Sequence, residues 1–142
     1  MSILNQLSTS LNRRDEVPNQ ELAKKIIQKN DTKSVKELIE NLFNKNKDIQ
    51  SDCIKVLYEI GARKPGLIEE YSNAFIDLLD HKNNRLQWGA MTAIDYITLE
   101  NPKNIYASLS NIIDAANNGS VITKDHAVNI LILQFDFLFR SI

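Results

Sequence analysis

Shifting the sequence by 37 residues against itself brings apolar positions into register over most of its length, and this repeat constrains the fold more than any single motif. Leu38, Phe75 and Ile112 coincide, as do Ile39, Ile76 and Ile113, and Leu42, Leu79 and Ala116. These spacings predict the first helices of three hairpins. Cys53, Ala90 and Ala127 coincide next, then Val56, Ala93 and Ile130, then Leu57, Ile94 and Leu131, predicting three second helices with apolar positions at i, i+3 and i+4. Small side chains at Cys53, Ala90 and Ala127 let each second helix approach its partner closely.

The punctuation agrees. Pro65 and Pro102 fall where first helices should begin, a position at which a missing N–H costs nothing. Asp31 or Thr32, Asn83 or Asn84, Asn101 before Pro102, and Ser120 after Gly119 are the expected N-caps. No run of β-branched residues alternates with polar ones, so the expected class is all-α. The ends depart from the repeat. Leu4, Leu7 and Leu11 predict one N-terminal helix, and Leu22, Ala23, Ile26 and Ile27 another after Pro18, together a degenerate capping hairpin. At the other end Phe135, Phe137, Leu138, Phe139 and Ile142 spread around the last helix. The tail either folds back as a cap, the preferred expectation, or leaves an apolar patch for a second chain, including a homodimer partner.

Composition enters by exclusion. A 142-residue chain with 43% hydrophobic and 25% charged residues can bury a core without a staple. With 17 Lys+Arg against 18 Asp+Glu, no global field draws it to nucleic acid or anionic lipid. The N-terminus lacks the basic start and long apolar run of a signal peptide, and no stretch reaches about 18 apolar residues, so a cytoplasmic, non-membrane protein is expected. The single cysteine, Cys53, sits in the apolar row as a small hydrophobe. His81 and His126 have no ligand-spaced partner on their own helices, so neither a metal nor another cofactor is expected. Four glycines supply no phosphate-cradling loop.

The segments DIQSDCIKVLYEIG, NRLQWGAMTAIDYI and TKDHAVNILI resemble the second helices of HEAT repeats, over roughly residues 34–134. The basic residue that commonly follows the opening apolar residue, here Ile49, is missing. The resemblance implies a right-handed α-α superhelix of seven or eight helices, with 1–30 as cap and 31–64, 65–101 and 102–142 as repeats of one 1–142 domain, the last ending in a capping extension. It also implies a concave side lined by second helices, on which such proteins bind other macromolecules.

At about 100° per residue, with Cys53, Ala90 and Ala127 facing inward, three outward rows emerge. They are Asp48, Ser51, Lys55 and Tyr58; Arg85, Trp88, Thr92 and Asp95; and Ile122, Asp125, Asn129 and Ile132. Trp88 beside Arg85 has the composition of a binding hot spot, the alternative being a Trp packed over the preceding loop. Tyr58, Lys55, Asp95, Asp125 and Asn129 are the further binding candidates. The expected function is a non-enzymatic scaffold or adaptor for a protein or peptide. The competing reading is nucleic-acid binding, or base excision as in HEAT-like alkylpurine DNA glycosylases, whose groove residues Trp88, Asp95 and Arg85 resemble. Only Lys55, Arg85 and Lys124 would serve a phosphate backbone there, which disfavours it.

Overall fold

The computed structural model describes residues 2–140, which are mostly helical and contain no strand. They form eight α-helices, joined in several places by 3₁₀ turns. The chain divides into two compact units, Met1–Ile68 and Glu69–Ile142, parting just past the repeat boundary expected at 64/65.

In the first unit α1 (Val17–Lys29) and α2 (Thr32–Glu40) both pack against α3 (Lys47–Arg63). Pro18 lies in the first turn of α1, and Asn30 closes the helix in the left-handed conformation, φ 49°. The expected helix through Leu4, Leu7 and Leu11 is not formed. Its place is taken by two 3₁₀ turns, Ile3–Gln6 and Thr9–Leu11, ended by Asn12 at φ 56°. The Ser8-Thr9-Ser10 run is weakly helical because its hydroxyls compete for backbone groups. Leu7 is buried, whereas Leu11 is exposed. Side chains hold this segment instead. The Ser8 amide donates to Asn19 Oδ1 and the Thr9 amide to Asp52 Oδ2, each at 2.9 Å. Asn19 Nδ2 in turn donates to Asp52 Oδ1.

Asp31 caps α2, accepting from the Ser34 amide at 3.1 Å and the Ser34 hydroxyl at 2.6 Å. The Ser34 hydroxyl, then its amide, holds the Asp31 carboxyl below its ordinary value. Asp31→Ala is expected to cost about 1 kcal/mol in denaturant unfolding at neutral pH. A depressed folded pKa gives stability that is full above the unfolded value of 3.8 and lost as pH falls through the lower folded value. The gap between wild type and variant should therefore narrow below about pH 4.

In the second unit α5 (Asn84–Ile97) packs against α4 (Ser72–Asp77) on one side and α8 (Val121–Arg140) on another. The helices α6 (Pro102–Ala107) and α7 (Leu109–Asn118) precede α8 and are separated at Ser108. Pro102 opens α6 as expected. Pro65, in the first unit, opens only a 3₁₀ turn, Pro65–Leu67. Asn83 caps α5 through the Arg85 amide, and the Ser120 hydroxyl caps α8 through the Thr123 amide. Asn101 occupies the cap position of α6 without a side-chain cap bond. Gly119 is small by necessity, since a Cβ there would sit 2.7 Å from Thr123 Cγ2 and 2.8 Å from the Ala115 carbonyl oxygen.

The repeat reads out as burial. Leu38, Phe75 and Ile112 are fully buried, as are Val56, Ala93 and Ile130, and Cys53, Ala90 and Ala127 are buried with them. Only the last hairpin breaks ranks. Ile39 and Ile76 are buried but Ile113 is 42% exposed, and Leu57 and Ile94 are buried but Leu131 is 38% exposed.

Candidate functional site

The residues that escape the repeat mark the most distinctive surface. The 20-residue α8 is apolar nearly all round, but only part of it is covered. Thr123, Ala127, Ile130 and Gln134 form its buried side, and Gln134 Nε2 donates to the Pro102 carbonyl at 2.9 Å, fixing α8 against the start of α6. At about 100° per residue, Val121, Val128, Leu131, Ile132, Phe135, Leu138 and Phe139 fall on an adjoining face about 120° wide. All seven are exposed, with Ile132, Phe135 and Phe139 near 60%. The expected fold-back cap is thus corrected: α8 runs on to Arg140 as one helix, and Phe135, Leu138 and Phe139 stay exposed while Phe137 is half-buried. Ile142, part of the same expectation, lies outside the described residues. Phe135 and Phe139 pack on each other, ring centroids 4.5 Å apart, so the patch is preordered.

Beside this face lies a polar cluster that joins two hairpins of the second unit. Asp95 Oδ2 is 2.7 Å from His126 Nδ1, and Asn129 Nδ2 donates to Asp95 Oδ1 at 2.7 Å. The Tyr96 ring meets His126 edge-on at 6.3 Å. Asp95 is only 6% exposed, which corrects its expected place in a solvated row. Thr92 is buried too, its hydroxyl donating to the Trp88 carbonyl at 2.8 Å. Taking one inward direction for α5 overlooked that this helix is covered on two sides, by α4 and by α8. Reading each helix separately likewise left His126 without a carboxylate, whereas Asp95 stands 31 residues away on α5. A signal was present: Tyr58, Asp95 and Ile132 share one repeat position, and only the middle repeat places an acid there.

The other candidates are scattered. Arg85 is exposed and Trp88 half-buried in the first turns of α5, so Trp88 is neither wholly solvated nor wholly core. Asp125 and Asn129 are exposed along α8, as expected of their row. In the first unit, Lys55 Nζ is 2.7 Å from Glu59 and 3.3 Å from Glu16, and lies 4.8 Å over the Tyr58 ring. Lys55 and Tyr58 are therefore engaged within the unit and not presented as solvated groups. Burial works against the Lys55 charge, yet the Glu59 carboxylate and the Tyr58 hydroxyl outweigh it and raise the ammonium above its usual range. Burial likewise raises the Tyr58 hydroxyl, partly offset by Lys55.

No group of three or more His, Cys, Asp or Glu residues that could hold a metal occurs among the described residues. Cys53 is fully buried, and burial, then the charges of Asp52 and Glu37, push its thiol up to about 12. Only the thiolate reacts, so native protein at pH 8 is expected to show no labelling by Ellman's reagent within minutes and one equivalent after denaturation. No helix among the described residues is long and apolar enough to cross a membrane. Compared with known protein families, curated proteins and solved structures, the chain matches none.

Proposed function

We propose that the chain is a non-enzymatic interaction module, built of HEAT-like hairpins, that binds a protein through the uncovered face of α8. The carrying observation is that face. Taking roughly 200 Å² for a fully exposed large apolar side chain, its seven residues leave on the order of 700 Å² in water, more than the few hundred a monomer usually exposes as one patch. Asp125 and Asn129 lie along its edge as polar rim, the arrangement seen in protein interfaces. Trp88 and Arg85, the pair that sequence places at the centre of a groove, contribute less to this reading. A cytoplasmic location and a protein or peptide partner belong to the same proposal.

Photo-crosslinking in cells tests it directly. Benzoylphenylalanine at position 135 should yield an adduct with a polypeptide, while the same group replacing Phe43, 62% exposed in the first unit, should yield none. Equal yields at both positions, or none at 135, would refute the reading.

A further inference from the structure

Resting on that reading, we infer that the polypeptide bound by α8 is a second copy of this chain, with the two α8 helices packed on each other about a two-fold axis. The spacing of the exposed residues carries the argument first. Val121, Val128 and Phe135 recur every seven residues, and so do Lys124, Leu131 and Leu138, three or four residues out of phase. That is the a/d pattern by which one helix receives another like itself. The buried face of α8 lies to one side of this seam, so the helix can join its own hairpin and a partner helix together.

Area comes next. On the order of 700 Å² per copy approaches the roughly 800 Å² that each partner contributes to a standard stable interface. A two-fold axis needs only one self-complementary patch, which is what the single helix offers.

The repeat adds an independent reason for a helical occupant. Ile94 of the preceding hairpin is buried on α5, which packs against α8, whereas its counterpart Leu131 is 38% exposed. A second α8 supplies a helix to that side.

Sedimentation of the purified full chain decides the matter. The expected result is a species of twice the 16.2 kDa chain mass at micromolar concentration. Phe135→Glu should weaken association by at least about 30-fold, and Phe43→Glu should not change it. Phe135 is 63% exposed, so the variant should keep its helical circular dichroism, which shows that it folds. A wild-type monomer at about 100 µM, or a dimer unaffected by Phe135→Glu, would overturn the inference. A monomer whose position-135 adduct contains a different polypeptide sinks the self-association alone, while absence of any adduct sinks the interaction reading as well.

Discussion

Phe75→Ala is expected to lower the stability of the chain by about 3–5 kcal/mol, read as a lower urea midpoint. Phe75 is completely buried, at the repeat position that Leu38 and Ile112 occupy in the other hairpins. Truncation loses the transfer free energy of the ring and leaves a cavity that rigid helices fill only in part. Against a typical total of about 5–15 kcal/mol this is a large fraction, so the variant should be partly unfolded at physiological temperature. Ile113→Ala is the contrast, since Ile113 is aligned with buried Ile76 but 42% exposed. Its cost should stay below about 1 kcal/mol because little apolar surface returns to water. Equal penalties at Phe75 and Ile113 would mean that the last hairpin is covered in solution and that the free face of α8 is narrower than its seven exposed residues.

Asp95→Ala should cost about 2–3 kcal/mol, the second largest effect, since the carboxylate accepts from two side chains while almost wholly out of water. Its partners lose unequally. Asn129 is exposed and can turn to solvent, whereas the His126 ring is half-buried beside Tyr96. A double-mutant cycle with His126→Ala should give a coupling of about 1–2 kcal/mol, and one with Asn129→Ala a smaller value. Additive penalties for Asp95 and His126 would show that the contact does not tie α5 to α8. Loss of this tie should also loosen α8 and weaken any association made through it, which separates Asp95 from a surface residue of no consequence.

The positions that gave the fold away were those whose burial depends on the chain's own periodicity. Leu38, Phe75 and Ile112, and Cys53, Ala90 and Ala127, were legible because a helix that must bury one stripe repeats it. The caps Asp31, Asn83 and Ser120 were legible because a short side-chain acceptor before an apolar run has few other uses. The failures share a different cause. Burial of Thr92 and Asp95 depends on a neighbouring helix that the residues of α5 do not encode. The 3₁₀ turns around Ser8 and Pro65 depend on competition between nearly equal local geometries, which tertiary contacts settle. The exposure of Leu131 and Phe135 depends on whether a further hairpin stacks on the last one, and periodicity assigns the same character to a covered and an uncovered end.

The amides of Ser8 and Thr9 donate to Asn19 and Asp52 side chains and not to a helical carbonyl. Their exchange with deuterated solvent is therefore gated by opening of a two-residue side-chain latch, not by fraying from a helix end. With Asp52 replaced by alanine, the Thr9 amide loses its acceptor and Asn19 loses the oxygen that orients it, while α1 and α3 keep all their backbone bonds. The stretch from Thr9 to Asn12 would then loosen, visible to a protease and nearly silent in circular dichroism, while Ile3 and Leu7 stay buried and the Ile3 amide keeps its bond to Glu37.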